Sequence, residues 1–245
     1  MHPKGAELVY FVDTYANFNN PSLGIAATKI LWKGGYSVVV PPQKGSGMPA
    51  FLYGELEFLK KVAEFNVESL LPYAQRGIPI VASEPTAAFC LREIYPELLR
   101  TEESRIVAGN SYELLGFLRD HWDSLDLKTT GGKAGGKVAY HTPCHTRPMY
   151  HEPPGPDLLR RIGLDVESLD FQGCCGIAGT YGFKKGLDGF DVSMAVGEEL
   201  FAKIREMNPA YVVTDSSVCK LQIEQGVGLT VKHPLEVLAE NYGLT

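Results

Sequence analysis

Short apolar runs alternate with amphipathic stretches along the first half of the chain. The runs are strand-sized and span residues 8–12, 36–40 and 78–82. Stretches with helical spacing of apolar residues cover 25–31, 56–73, 86–95 and 112–122. Strands that alternate with helices of this length predict βαβ units and a parallel sheet.

The second half of the chain repeats this order. Its strand-sized runs span 138–140, 166–169 and 211–214, and its helices are predicted at 157–162, 192–207 and 234–242. The repetition indicates an internal duplication with a period near half the chain. We therefore predict an α/β protein with two similar Rossmann-like lobes, each built on a parallel sheet. The lobes are 1–127 and 138–245, and the glycine-rich segment KTTGGKAGGK at 128–137 is the linker.

The composition mainly excludes function classes. Hydrophobic residues make up 44% of the 245 residues and charged residues 21%, which is an ordinary globular balance. The net charge is -6, whereas nucleic-acid-binding proteins typically carry an excess of basic residues, so this class of function is not favoured. No apolar stretch approaches the ~20 residues that a membrane-spanning helix needs. We expect a cytoplasmic protein that at most associates peripherally with the inner face of the cell membrane through a partner.

Four of the five cysteines follow the predicted strands of the second lobe. Cys144 comes after the first strand, Cys174 and Cys175 after the second, and Cys219 after the third. The C-terminal ends of parallel strands meet at one edge of the sheet, where ligands bind. We therefore predict that the four thiols converge on one site. Such a donor set suits zinc and iron–sulfur clusters alike.

Two other roles stay open for the adjacent pair Cys174 and Cys175. A vicinal disulfide is disfavoured by its strained ring and by a reducing compartment. The two residues can also be small buried apolar side chains. However, Gly173 and Gly176 flank the pair, and glycines allow backbone N–H groups to approach cluster sulfurs.

Other residues with reactive side chains receive separate predictions. His145 lies beside Cys144 and is a candidate auxiliary ligand or proton donor. Cys90 lies on a predicted helix among apolar residues and is predicted to be a core cysteine.

The segment GSGMPA at 45–50 matches the dinucleotide pattern G-x-G-x-x-A. Four residues separate it from the preceding strand, and Pro49 constrains the turn, so the match is poor in context. A nucleotide- or substrate-binding enzyme that uses this loop is a further hypothesis. We expect no nucleotide binding there.

Three segments resemble the cysteine-rich CCG domain family: FVDTYANFNNP at 11–21, YHTPCH at 140–145 and CCGIAGTYGFKK at 174–185. Members include the B subunit of heterodisulfide reductase, glycolate oxidase iron–sulfur subunits and FAD-linked oxidases. The resemblance is strongest to the C-terminal region of the C subunit of anaerobic glycerol-3-phosphate dehydrogenase, and it covers nearly the whole chain.

The resemblance implies a five-cysteine motif in each lobe: a lone Cys, a CC pair and C-x-x-C. The second lobe keeps the four ligands Cys144, Cys174, Cys175 and Cys219, with Ser216 at the fifth place. The first lobe has lost all five cysteines of the motif, and the residues at the corresponding positions are Thr14, Gly45, Ser46, Glu84 and Ala87. Four thiolates satisfy a 4Fe–4S cluster. Alternatively, one cysteine is not a ligand and an iron stays open to substrate, solvent, Ser216 or His145.

By this resemblance the chain is an electron-transfer iron–sulfur module, as a subunit or a fragment. It would serve a flavin-dependent dehydrogenase of glycerol-3-phosphate or a 2-hydroxy acid and pass electrons towards quinone or another acceptor. The expected partners are a flavoprotein dehydrogenase subunit or domain and a ferredoxin-type iron–sulfur domain. No catalytic residue is predicted in the chain itself. The alternative is a zinc-binding structural or docking domain of such a complex.

Overall fold

Each half of the chain folds around its own four-stranded parallel sheet. The computed structural model describes residues 6–125, 127, 136–169, 173–186 and 189–244. These residues divide into two units: the first lobe, up to residue 127 together with 242–244, and the second lobe, 136–241. Of the predicted linker at 128–137, all but the last two residues lie outside the described residues.

The two sheets share one strand order. The first contains β1 (Ala6–Phe11), β2 (Tyr36–Val39), β3 (Ile80–Ala82) and β4 (Ser111–Glu113), in the order β2-β1-β3-β4. The second contains β5 (Val138–His141), β6 (Val166–Ser168), β7 (Tyr211–Thr214) and β8 (Val231–Lys232), in the order β6-β5-β7-β8. Every described pairing is parallel. The predicted α/β fold with two similar parallel-sheet lobes is confirmed.

Helices connect the strands within each lobe. In the first lobe they are α1 (Pro21–Lys33), α2 (Met48–Leu52), α3 (Leu56–Ala74), α4 (Pro85–Phe89), α5 (Tyr95–Leu99), α6 (Glu102–Gly109) and α7 (Leu114–His121). In the second they are α8 (Pro154–Arg161), α9 (Phe190–Met207), α10 (Ser217–Val227) and α11 (Pro234–Asn241). Single π turns occupy Tyr15–Asn19 and Cys90–Ile94, and 3₁₀ turns occupy Trp122–Ser124 and Tyr181–Phe183. None of the described helices is long and apolar enough to cross a membrane.

The central strands are buried along most of their length. Leu8 to Phe11 of β1 and Val138 to Tyr140 of β5 are at most 1% exposed. Strands that are buried on both faces are nearly continuous apolar runs rather than alternating patterns. This explains why the pattern located the inner strands well.

The last strand of each sheet, β4 or β8, and some helices differ from the predicted pattern. The helix predicted to begin at Tyr112 begins at Leu114, because Ser111–Glu113 forms β4. The Glu113 carboxylate accepts hydrogen bonds from the backbone N–H groups of Leu115 and Gly116 and so caps the helix at that point. The pattern also did not predict β8, α6 or α10. β4 (SYE) and β8 (VK) are short and contain polar residues, so neither forms an apolar run.

Candidate metal centre

Cys144 lies on the segment that follows β5, and a buried hydrogen-bond network fixes this segment. The Asp215 carboxylate, just beyond β7, accepts a hydrogen bond from the Tyr140 hydroxyl at 3.0 Å. It accepts a second one from the Thr146 hydroxyl at 2.7 Å. Asp215 is fully buried, so the two bonds are shielded from water. The network therefore ties the Cys144 segment to the segment that leads to Cys219.

Cys174 and Cys175 lie on a loop whose backbone conformation at position 176 is accessible only to glycine. This residue has φ +85°, and a Cβ atom there would lie 1.9 Å from the carbonyl oxygen of Ser193 on α9. The loop backbone therefore packs directly against α9. The Gly176 N–H points back to the Cys174 sulfur at 3.4 Å. Backbone donors of this kind stabilise negative charge on sulfur.

Cys219 lies in the first turn of α10 and is buried. Its sulfur lies 3.2 Å from that of Cys175, so the two thiols form an S–H···S hydrogen bond. Ser216, the predicted fifth position, is buried immediately before the helix.

The four predicted thiols border one small pocket of about 30 Å³. Its described lining consists of His141, Cys144, Arg147, Cys174, Cys175 and Cys219. The predicted auxiliary residues His145 and Ser216 are described but are not part of this lining. The sequence pattern did not single out Arg147. Its position three residues after Cys144, on the same anchored segment, is the signal that could have found it.

Arg147 and His141 contribute different electrostatics to the pocket. Arg147 is exposed and donates a hydrogen bond to the Gly173 carbonyl at 3.4 Å, next to the vicinal cysteines. His141 is buried, and its Nδ1 lies 3.1 Å from the Thr214 hydroxyl. Burial and the Arg147 charge lower the pKa of His141 to about 3, so the ring is neutral at pH 7. Burial also lowers the pKa of His145.

The environments of Cys144, Cys174 and Cys175 favour the protonated form of these three thiols. Burial, and then the neighbouring Cys174, raise the pKa of Cys144. The hydrogen bond with Cys175, and then burial, raise the pKa of Cys174. For Cys175 the hydrogen bond with Cys174 lowers the pKa, but the one with Cys219 and burial outweigh it, so its pKa is raised. A metal must therefore displace protons from these sulfurs when it binds.

The donor set fits a thiolate-bound metal centre, although the sulfurs are packed as thiols. A tetrahedral zinc ion with Zn–S bonds of about 2.3 Å spaces its sulfurs about 3.8 Å apart. The contact of 3.2 Å between Cys175 and Cys219 is shorter than this. Among the described residues, no three or more His, Cys, Asp or Glu side chains are grouped so that they could hold a metal ion. Binding of zinc or of a larger cluster therefore requires the side chains of Cys175 and Cys219 to move apart.

Cys90 belongs to a different environment. It is fully buried in the first lobe, and burial raises its pKa to about 12, although a hydrogen bond with Ser46 acts in the opposite direction. The prediction of a core cysteine is confirmed.

Comparison with known families identifies the segment that contains the site. Residues 138–224 match the family model CCG, which is described as a cysteine-rich domain. This segment is a CCG cysteine-rich domain. The match includes Cys144, Cys174, Cys175 and Cys219 and corresponds to most of the second lobe.

Relatives of the whole chain are oxidoreductases or their subunits. The chain is 38% identical over 247 residues to the C subunit of the anaerobic glycerol-3-phosphate dehydrogenase of Escherichia coli, covering 96% of this chain and 59% of that protein. It is 23% identical to the D-2-hydroxyglutarate dehydrogenase of Haemophilus influenzae, covering 93% of this chain and 22% of that protein. It is 25% identical to the D subunit of the dihydromethanophenazine:CoB–CoM heterodisulfide reductase of Methanosarcina barkeri, covering 98% and 60%. The chain with its CCG domain thus spans less than two thirds of each of these proteins.

A solved structure shares the fold. The crystal structure of a hypothetical protein from Helicobacter pylori aligns with a TM-score of 0.56 at 14% identity, covering 98% of this chain and 50% of that chain. At this identity the likeness extends to the architecture alone.

Proposed function

We propose that this chain is an electron-transfer module whose second lobe holds an iron–sulfur cluster on Cys144, Cys174, Cys175 and Cys219. The observation that carries the proposal is that all four thiols border one pocket at the C-terminal edge of a parallel sheet. Four sulfur donors, with no carboxylate in the described part of the lining, form a soft ligand set, which selects thiophilic metals and clusters. A 4Fe–4S cluster takes one thiolate for each iron.

The relatives support the choice of a redox function over a structural one. Their names include a D-2-hydroxyglutarate dehydrogenase and subunits of a glycerol-3-phosphate dehydrogenase and of a heterodisulfide reductase. We propose that the module takes electrons from a flavoprotein that oxidises glycerol-3-phosphate or a 2-hydroxy acid. A ferredoxin-type iron–sulfur domain is the expected second partner, and quinone or another acceptor is the destination.

The residues around the thiols have separate roles in this proposal. The Asp215 network keeps the segments of Cys144 and Cys219 together, and the close packing of Gly176 against α9 fixes the vicinal pair. Arg147 adds a positive charge beside a site that becomes anionic when the thiols ionise. When bound, the cluster supplies a one-electron redox couple.

A redox titration under oxygen-free conditions tests this function. The full chain is purified anaerobically, reduced stepwise and followed by EPR spectroscopy. We expect a signal that appears on reduction by one electron and disappears on reoxidation. Stoichiometric zinc without any such signal would instead support the alternative of a structural or docking domain, because zinc is redox-silent.

A further inference from the structure

The first lobe has a cavity at the place that corresponds to the thiol pocket. The cavity measures about 500 Å³ and is lined by the segments that follow β1 and β2, together with Phe58 and Val62 of α3. The lining includes Thr14 and Gly45, at which the family resemblance implies that cysteines have been lost. Cavities of ~300–1,000 Å³ at this edge of a parallel sheet are typical small-molecule sites.

Buried side chains hold the loop that forms one wall of this cavity. Asn66, which is fully buried, accepts a hydrogen bond from the Lys44 N–H at 2.8 Å and donates one to the Lys44 carbonyl at 3.2 Å. The Tyr95 hydroxyl, also fully buried, donates to the Ser46 carbonyl at 2.9 Å. Gln43 donates its side-chain N–H to the Val12 carbonyl at 2.7 Å and so ties the loop to the end of β1. The wall is therefore preformed, which lowers the entropic cost of binding.

The same loop contains the G-x-G-x-x-A match, but its geometry does not suit a phosphate. The Lys44 N–H is already bonded to Asn66, and the helix that follows, Met48–Leu52, has only five residues. Gly45 and Gly47 serve packing instead: a Cβ atom would lie 2.8 Å from the Thr14 hydroxyl and 2.6 Å from Leu59, respectively. The cavity therefore calls for a ligand other than a dinucleotide.

The cavity has a polar side and an apolar side. Thr14, Asn17 and Lys44 are exposed lining residues that can donate hydrogen bonds. The Lys44 ammonium lies 4.6 Å from the centroid of the Phe65 ring. Phe65 follows Phe58 and Val62 at helical spacing, so the charge lies along the face of α3 that lines the cavity.

The acidic lining residue, Asp13, already has its own partners. Its carboxylate accepts hydrogen bonds from the backbone N–H groups of Tyr15 and Ala16 and from the Ser83 hydroxyl. The polar groups left for a ligand are the Lys44 ammonium, the Thr14 hydroxyl and the Asn17 amide, which can donate, and the Gln43 side-chain oxygen, which is a buried acceptor without a hydrogen-bond partner among the described residues. Phe18 and Phe58 on the apolar side are 77% and 61% exposed, a large exposure for aromatic side chains.

We propose that this cavity binds an organic anion with an apolar body. The anionic group meets Lys44 and Thr14, and the apolar body lies against Phe18 and Phe58. The described lining of this cavity shares no residue with that of the thiol pocket.

A pair of fluorescent probes tests the proposal on the full chain. Anilinonaphthalene sulfonate is an amphipathic anion, and N-phenylnaphthylamine is the same aromatic body without the charge. We expect saturable binding of the anion at one site, about tenfold tighter than that of the neutral probe, from one charge-assisted hydrogen bond. Lys44→Gln should remove this preference, whereas Lys60→Gln, at an exposed lysine on α3 outside the lining, should keep it.

A second variant checks that the probe occupies the cavity. Ala50→Trp fills it and should abolish binding of both probes, with circular dichroism to verify folding. Equal affinities of the wild type for the two probes, or unchanged anion binding by Lys44→Gln, would overturn the proposal. Lys44→Gln alters an exposed side chain and leaves the backbone bonds to Asn66 in place, so it remains informative if Ala50→Trp does not fold.

Discussion

The two lobes have the same scaffold and different chemistry at the same edge of the sheet. Tyr10 of β1 and Tyr140 of β5 occupy equivalent places, paired with Val81 and Val213. Two residues beyond these partners come Ser83 in the first lobe and Asp215 in the second, and each contacts the tyrosine hydroxyl. A buried tyrosine therefore anchors the neighbouring strand in both lobes.

The difference begins directly after these anchors. The second lobe continues with Ser216 and Cys219, and the first lobe continues with Glu84 and Ala87. The second lobe closes around a pocket of about 30 Å³ that is bordered by thiols, and the first leaves a cavity of about 500 Å³. The tyrosine anchors therefore maintain the same sheet edge in both lobes, and the loops beyond them determine the size and the lining of the pocket at that edge.

Removal of a thiol should have the largest effect on this comparison. Cys175→Ser is expected to abolish retention of the metal centre, because Cys175 contacts Cys219 and lies next to Cys174 in the pocket. Metal analysis after anaerobic purification measures the loss. The matched control, Cys90→Ser in the first lobe, should retain the full metal content. Full retention by Cys175→Ser would remove that residue from the ligand set.

Alanine substitutions at two glycines with positive φ separate the cost of backbone strain from the cost of a packing clash. Gly35 in the first lobe has φ +94°, and nothing lies within 4 Å of the position that a Cβ atom would take, so Gly35→Ala should cost about 1 kcal/mol. Gly176→Ala adds a clash with the Ser193 carbonyl and should cost roughly 3 kcal/mol or more. Urea unfolding of the two metal-free variants measures both values. Equal costs would mean that the loop does not pack against α9 as described.

The stability of the second lobe should depend on pH through the buried His141, whereas the equivalent residue in the first lobe, Phe11, cannot titrate. His141 has a pKa of about 3 when folded and about 6.5 when unfolded, so the unfolded chain binds more protons between these values. The free energy of unfolding of the metal-free protein should therefore fall as pH decreases from 6.5 towards 3. The contribution is up to about 1.4 kcal/mol per pH unit.

His141→Phe tests this pH dependence because it installs the first-lobe residue and cannot titrate. Urea unfolding at pH 7 and pH 5 should show a smaller decrease for this variant than for the wild type. His151→Gln, at an exposed histidine, is the matched control and should behave like the wild type. An identical decrease in all three proteins would contradict a neutral His141.

The smallest expected difference concerns the two tyrosine anchors. The Tyr140 hydroxyl donates to a carboxylate, and Tyr10 shares its hydrogen bond with the neutral Ser83 hydroxyl at 2.8 Å. Hydrogen bonds to charged groups are stronger, so Tyr140→Phe should cost about 2 kcal/mol and Tyr10→Phe about 1 kcal/mol. Thermal or urea unfolding measures the two costs. A larger cost for Tyr10→Phe would reverse this part of the comparison.

The sequence was most informative where burial dominates. The inner strands are continuous apolar runs, and their ends predicted which segments carry the thiols of the pocket. The role of these thiols as ligands stays a prediction. Short elements such as Ser111–Glu113 and Val231–Lys232 could not be found, because their pairing comes from tertiary contacts and not from local pattern.

Long-range hydrogen bonds were also beyond the sequence. Nothing in the local pattern around Asn66 indicates that its side chain holds the loop at Lys44, 22 residues away. Similarly, the loop at 45–50 matches a nucleotide-binding motif in sequence, but the structure shows that its glycines are required by close contacts with Thr14 and Leu59. The size of the first-lobe cavity depends on these contacts and was not predictable.

The most direct test of the metal centre is the iron, sulfide and zinc content of the full chain after oxygen-free purification. We expect about four iron and four sulfide per chain, as one 4Fe–4S cluster requires. Stoichiometric zinc without sulfide, or a chain with neither metal, would contradict it.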